Sequence, residues 1–169
     1  MHSIHKIPIT PLAPIGLLAF VAAVSAAVAW SFRSGLTWTA ICLIVVVAPL
    51  ALLYWYMLFV NPRRAAVTVA DEGLLLAAPP FASAVIPWAA VHETFEADLL
   101  DPEFAIAKSK KFMQFAGYRS GVVELVNGRE AVIVANRPQV LCVRTEDRDY
   151  LIGPSDLDAL VRDVAQARQ

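Results

Sequence analysis

Few residues of this 169-residue chain have the types and spacings that catalysis needs. His92 directly precedes Glu93, and a histidine beside an acid serves as a general base only where a nucleophile and a cleft accompany it. The sequence contains no nucleophile elbow, phosphate-binding glycine loop, dinucleotide fingerprint or zinc-ligand spacing. We therefore expect a protein that is not an enzyme and holds no cofactor.

The acidic and sulfur-bearing residues do not have the spacing of metal ligands. Asp98, Asp101 and Glu103 could offer oxygen ligands, but they lack the glycine-containing spacing of a calcium loop. Cys42 and Cys142 belong to no ligand-spaced cluster, so both are expected to be buried small hydrophobes. The sequence predicts no metal site.

The segment from Glu96 to Ala116 is the most suggestive binding candidate. It shows no strand pattern, and long loops of this kind often carry function. Its basic and apolar side chains could dock on anionic headgroups or form an edge for a protein partner, or they could simply tuck onto the domain. The candidate contact residues are Lys108, Lys110, Lys111, Phe112, Met113 and Phe115.

Charge divides the chain into two parts. All fifteen Asp and Glu residues follow position 70, and two uncharged apolar runs, 12–32 and 36–60, precede it. Each run is long enough to cross a hydrocarbon core of about 30 Å, and the short link around Arg33 makes the two helices antiparallel. The pattern predicts a transmembrane hairpin.

Aromatic and basic residues lie where the ends of the two helices would meet the headgroups. The predicted interface anchors are Trp30, Trp38, Tyr54, Trp55, Tyr56, Arg63 and Arg64. The basic residues outside the turn outnumber Arg33 within it, which favours both termini in the cytoplasm. The competing interpretation, a cleaved signal ending near Ala29, fits less well because the apolar run is long.

Small residues recur on one stripe of the first run, at Ala19, Ala23 and Ala27. Such a stripe lets helix backbones approach closely, and we expect it to pack against the second helix or against a partner. Neither run contains an Asp, Glu, Lys, Arg or His residue, so transport by this chain alone is disfavoured.

Residues 66–169 read as a soluble domain with a net charge of −5, which argues against nucleic-acid binding. Short runs of period two alternate with turn signals, of which Asn127-Gly128 is the clearest hairpin. Ser155 is predicted to cap a final helix. About seven antiparallel strands closed by one helix form a small barrel or sandwich. The expected organisation is an N-terminal segment 1–11, a hairpin 12–60, a basic linker 61–65 and the domain 66–169.

The turns and apolar positions of 117–134, 140–144 and 151–156 resemble those of a bacterial pleckstrin-homology-like domain family, as does the turn 86–91. The resemblance covers about residues 66–165. It implies a seven-stranded bent sheet capped by a C-terminal helix, in a family whose members often follow membrane hairpins. Phosphoinositide-binding relatives carry basic residues in the first hairpin loop, where this chain has Asp71-Glu72-Gly73, so inositide binding there is not expected.

These observations predict a two-span protein of the bacterial inner membrane with a cytoplasmic domain of this type. We expect it to act as a non-enzymatic scaffold or accessory subunit whose partners are the bilayer and another membrane protein or a second copy of itself. The alternative is a lipid or small-ligand sensor that uses the barrel mouth and the basic-aromatic segment 96–116.

Overall fold

The computed structural model describes residues 3–7, 12–60, 64–79, 81–115 and 117–168. The chain forms two compact units, one of residues Pro11–Val60 and one that joins Met1–Thr10 to Asn61–Gln169. The predicted anchor Arg63 lies outside the described residues.

The smaller unit consists of two apolar helices, α1 (Leu12–Arg33) and α2 (Thr37–Trp55), followed by a π-helical turn at Tyr56–Val60. By length and composition, Ile15–Arg33 and Thr37–Trp55 could each cross a membrane. Gly35 makes the link with a φ of +76°, a conformation that glycine adopts without steric cost. The predicted pair of apolar helices is therefore present.

The alanine stripe of α1 does not face α2. The residues of α1 and α2 that are less exposed than their neighbours recur every three, four or seven residues, as expected for helices packed side by side. They are Leu17, Val24, Val28 and Ser31 in α1 and Ala40, Leu43, Val47 and Ala51 in α2. Ala19, Ala23 and Ala27 are exposed about a third of a turn away, so of the two expected contacts of the stripe the one with α2 is wrong, and the one with a partner stays a prediction. Cys42 is likewise exposed rather than buried.

The larger unit begins with a four-stranded antiparallel sheet, here sheet A, in the order β1-β2-β3-β4. Its strands are β1 (Ser3–Lys6), β2 (Ala66–Ala70), β3 (Gly73–Ala78) and β4 (Ala82–Pro87). The N-terminal segment, which the sequence placed outside the domain, thus supplies the first strand. Ile7 is fully buried next to it, which explains why this short segment is held in the sheet.

The second sheet, sheet B, has the strand order β5-β9-β10-β8-β7-β6. Its strands are β5 (Val91–Asp98), β6 (Ile106–Phe115), β7 (Tyr118–Leu125), β8 (Glu130–Ala135), β9 (Gln139–Thr145) and β10 (Arg148–Gly153). The Asn127-Gly128 hairpin is confirmed between β7 and β8. The strands differ from the seven antiparallel ones predicted, because β8 and β10 pair in parallel and the described residues contain ten strands.

The final helix, α3, spans Leu157–Ala167 and is capped by Asp156, whose Oδ1 accepts the N–H of Ala159 at 3.0 Å. The predicted cap, Ser155, instead donates its backbone N–H and its hydroxyl to the carbonyl of Lys6, at 3.2 and 3.3 Å. The residue expected to start the helix therefore fastens the N-terminal segment to the domain.

Both faces of the central strands of sheet B, β8, β9 and β10, are buried, which explains the near-continuous apolar runs of these strands. One face packs with the inner face of sheet A and with Leu160 and Val164 of α3 in a first cluster. The other face is covered by Leu99 and Phe104, with Phe95 and Phe112 packed against them, in a second cluster. The result is a PH-like sandwich closed by a C-terminal helix, as predicted.

Candidate functional site

The basic-aromatic segment is a strand rather than the predicted loop. After β5, a short 3-10 turn at Pro102–Phe104 leads into β6, which pairs with β7 along its length. The register shifts between Ile106 and Lys108 and again between Ser109 and Lys111. Each irregularity breaks the alternation of side chains, so the period-two signal that identifies strands is lost here.

Gly121 of β7 is what allows the second irregularity. A Cβ at this position would lie 2.0 Å from the carbonyl oxygen of Lys111 and 2.6 Å from the Cα of Phe112. Its φ of +145° is also a value that side-chain-bearing residues rarely adopt. Glycine therefore permits the close approach of β6 to β7 that sets the position of Lys111 and the residues after it.

β6 lies at the edge of sheet B, and all of its residues are at least partly exposed. Of the six predicted contact residues, Lys108, Lys110, Lys111 and Phe115 are on the surface. Phe112 and Met113 are half-buried and pack on the second and the first cluster, respectively. The two inward side chains fix the strand, and the other four remain available for contacts.

The three lysines of β6 are not equally available to an anionic ligand. Lys110 forms an ion pair with Glu130, which raises the pKa of Lys110 and lowers that of Glu130. Lys108 stands opposite Glu124 in the strand register, whereas Lys111 stands opposite Val122. Lys111 is therefore the lysine of β6 whose cross-strand neighbour is apolar.

An ionic cluster that the sequence analysis missed closes one end of sheet B. Asp149 is fully buried, and its Oδ1 accepts from Arg129 Nε at 3.1 Å and Nη2 at 2.9 Å. Arg144 reaches the same oxygen at 3.4 Å and lies within 3.5 Å of Glu93 and Glu103. Alternation could have revealed it, since Asp149 lies two residues from the fully buried Leu151 and so shares its face.

The guanidinium of Arg144 also lies 5.1 Å from the centre of the Phe95 ring, in cation–π geometry. The cluster therefore covers the end of the second apolar cluster with paired charges.

The candidate catalytic and metal-binding residues do not converge. His92 is exposed on β5, while its neighbour Glu93 is engaged by Arg144. Asp98 accepts the backbone N–H of Leu100 at 2.8 Å, which stabilises the turn after β5. Within the described ranges, no three His, Cys, Asp or Glu side chains group as metal ligands. Asp98 and Asp101 shape the connection between β5 and β6, where the N–H of Asp101 donates to the carbonyl of Asp98 and the N–H of Phe104 to that of Asp101.

The predicted interface anchors that the structure describes are all exposed. In the helical unit they are Trp30, Trp38, Tyr54, Trp55 and Tyr56, and Arg64 is exposed at the start of the larger unit. Exposed aromatic rings near both ends of α2 are compatible with contact to headgroups.

Comparison with known proteins bears on the larger unit. The model of the family described as Bacterial PH domain matches residues 65–168. No curated protein and no solved structure matches the chain. The match begins one residue before β2 and ends just after α3, so it contains every element of the larger unit except β1. Because it spans more than half of the chain, the protein belongs to the bacterial PH domain family.

Proposed function

We propose that this protein is a non-enzymatic interaction subunit, anchored in the bacterial inner membrane by α1 and α2, whose β6 edge binds an extended segment of another membrane protein. The observation that carries the proposal is the position of β6. It is a ten-residue strand whose outer edge pairs with no other strand in the described part of the chain. The backbone groups of such an edge can hydrogen-bond an added strand.

Lysines and bulges also protect edge strands against unwanted pairing, and the first half of β6 has both. The second half is different. From Phe112 to Phe115 the register with β7 is regular, with Phe112 opposite Gly121 and Phe115 opposite Tyr118. An added strand would therefore pair with this half, next to the exposed Phe115 and Lys111.

Charge indicates the kind of segment that would bind. Residues 66–169 carry a net charge of −5, so an acidic partner segment would be repelled by most of the domain. Lys111 offers a local basic contact because its cross-strand neighbour is Val122. The expected ligand is an extended segment with an apolar side chain for Phe115 and an acidic one for Lys111.

The strand pairing of β1 with β2 supports the proposed membrane topology. β1 precedes the helical unit in the sequence and β2 follows it, yet the two strands are neighbours in sheet A. The two ends of the connection that contains the helices therefore lie next to each other. Two crossings then return the chain to the side on which it started. Lys6 and Arg64 lie at those ends, and the positive-inside rule assigns them to the cytoplasm. A tether of this kind raises the effective concentration of the domain for other membrane proteins.

The proposal is tested by affinity capture of the full chain from its own membranes in mild detergent. We expect a stoichiometric partner whose recovery falls at least tenfold with Lys111→Glu combined with Phe115→Asp. Arg162→Glu, which makes the same charge change as Lys111→Glu but at an exposed position of α3, is the control and should retain the partner. Equal recovery with both variants, or no stoichiometric partner, would overturn the assignment of β6.

Lipid binding by the same surface is the second candidate, because Lys111 and the 40% exposed Phe115 are close in sequence and available. Phe115→Trp in the full chain, reconstituted in nanodiscs, distinguishes lipid binding from the binding of a protein segment. Quenching of this tryptophan by brominated phosphatidylglycerol relative to brominated phosphatidylcholine, corrected for the native tryptophans in the parent protein, would favour the lipid. Equal and weak quenching would favour the protein partner.

A further inference from the structure

The register of β6 with β7 shows which backbone groups of the regular half of β6 face the open edge. Phe115 and Tyr118 are paired at the hairpin end, and two residues so close in sequence can pair only by bonding each other's backbone groups. Hydrogen-bonded and non-hydrogen-bonded pairs alternate along an antiparallel ladder, so Met113 also bonds β7. The N–H and C=O groups of Phe112 and Gln114 therefore point away from β7, to the open edge.

The close approach at Gly121 gives the same assignment independently. A Cβ at Gly121 would lie 2.0 Å from the carbonyl oxygen of Lys111, so this carbonyl is directed at β7. The register is regular from Lys111 onward, and carbonyls two and four residues later in a strand point the same way. The carbonyls between them, those of Phe112 and Gln114, face the open edge.

We propose that β6 binds its partner as an antiparallel strand of five residues, with an apolar residue opposite Phe115 and an acidic residue opposite Lys111. The inference rests on the proposed function of β6 and specifies the segment that this edge takes. The outward N–H and C=O groups of Phe112 and Gln114 bond the backbone of the added strand, as in other cases where a peptide extends a sheet.

The antiparallel direction follows from the side chains that flank these backbone groups. Lys111 and Phe115 lie on one face of β6, because side chains alternate along a strand. In an added antiparallel strand, Phe112 and Gln114 form the hydrogen-bonded pairs. Lys111 and Phe115 then fall in the non-hydrogen-bonded pairs, where Cα atoms are only about 4.5 Å apart and opposed side chains interact most closely. Parallel pairing is less stable per residue and lacks such close pairs.

The length and order of the segment are set by β6 itself. The register shift between Ser109 and Lys111 limits the regular stretch on one side, and the hairpin turn after Phe115 limits it on the other. Lys111 and Phe115 are about 13 Å apart along the strand. An antiparallel segment that contacts both therefore has its apolar residue first and its acidic residue fifth. Its second and fourth residues each need a free backbone N–H, so neither is proline.

A lipid-linked peptide in the nanodisc that holds the full chain tests the inference, because a contact of five residues needs a tether. The peptide has isoleucine first, glutamate fifth and threonine at the three positions between them. Amide hydrogen exchange is measured at single residues of β6. Exchange of Phe112 and Gln114 should slow at least tenfold. Exchange of Met113 and Phe115, whose N–H groups already bond β7, should change less than threefold.

Three altered peptides serve as matched controls. Methylation of the second backbone nitrogen removes the donor to the carbonyl of Gln114 and should abolish the protection. Methylation of the third, whose N–H points away from β6, should preserve it. A peptide in the reverse order, with glutamate first and isoleucine fifth, should protect at least fivefold less.

The outcomes separate this inference from the proposed function. Equal protection by the two methylated peptides, or by the peptides of opposite order, would overturn the antiparallel backbone pairing. If no peptide protects β6 but the captured partner is still lost with Lys111→Glu and Phe115→Asp, the inference fails and the proposed function stands. If that partner is retained, or none is captured, both fail.

Discussion

Ile7 donates its backbone N–H to the carbonyl of Ala65 at 3.1 Å, and this hydrogen bond closes the connection that contains both apolar helices. The connection takes the place that a tight turn would occupy between the two antiparallel strands β1 and β2. The PH-like unit is therefore discontinuous in sequence, and a fragment that starts at residue 66 lacks one of its strands.

Truncation of Ile7 should destabilise the larger unit strongly. Ile7 is fully buried in the first cluster, and truncating a buried isoleucine to alanine lowers stability by about 2–5 kcal/mol. Ile7→Ala should lower the free energy of unfolding by that amount, measured by pulse proteolysis of the full chain in urea. Ile4→Ala, three residues earlier and exposed, should change the free energy of unfolding by no more than about 0.5 kcal/mol.

Acid should loosen the contact between β1 and α3. A hydrogen bond from Ser3 holds the pKa of Asp163 below its ordinary value of 3.8, with His5 adding to the effect at 2.9 Å. A carboxylate with a lowered folded pKa stabilises the fold above the unfolded value, and this contribution is lost as pH falls through the folded pKa. Stability should therefore decline below about pH 4 more steeply in the wild type than in Asp163→Asn.

Asp158→Asn provides the control for that pH profile, since Asp158 is exposed on the same helix. The acid limb of Asp163→Asn should differ from that of the wild type more than the acid limb of Asp158→Asn does. If Asp163→Asn instead coincided with the wild type, the contact between Ser3, His5 and Asp163 would not contribute to stability.

Cys142 should be inert in the folded protein. It is buried in the second cluster, and burial, with a smaller contribution from Asp149, raises the pKa of its thiol to about 12. The thiolate is the reactive form, so a Cys42→Ala chain should incorporate no N-ethylmaleimide at pH 7.5 until it is denatured. Rapid labelling of the native protein would show that sheet B opens around this residue.

Substitution of Gly121 should displace β6 without unfolding the domain as a whole. The Cβ of Gly121→Ala would collide with the backbone at Lys111, and overpacking of this kind costs about 1–3 kcal/mol. We expect faster hydrogen exchange across Ile106–Phe115. Gly128→Ala, at a positive φ but in open space, should leave exchange in β6 unchanged.

The fold was predictable wherever side-chain periodicity and turn chemistry agreed. Asn127-Gly128, the runs around Val132 and Leu141, and the face of α3 containing Leu160 and Val164 all appear as expected. Periodicity failed at β6, because two register shifts interrupt it. It could not identify β1, which is four residues long and finds its partner only across the two helices.

The contact role of the candidate site stays a prediction. Lys108, Lys110, Lys111 and Phe115 are on the surface, whereas Phe112 and Met113 pack inward, and this arrangement depends on Gly121, whose role is visible only when β6 is seen against it. The cluster around Asp149 combines residues from β5, β9, β10 and the β7–β8 turn, so only the folded chain reveals it. From the sequence, only the burial of Asp149 could be predicted, because Asp149 is two residues from Leu151 and so lies on the same face of its strand.

The pairing of β1 with β2 has a consequence for how the protein is made. Ribosomes synthesise Ser3–Lys6 before the helices and Ala66–Ala70 after them, so sheet A cannot be completed until both helices have been made. In the proposed membrane topology, a chain whose second helix failed to insert would leave β1 and β2 on opposite sides of the bilayer, with Ile7 and its neighbours unpaired. Under that proposal the first strand would act as a check on insertion, because only a chain with both helices inserted could complete its domain and resist proteolysis.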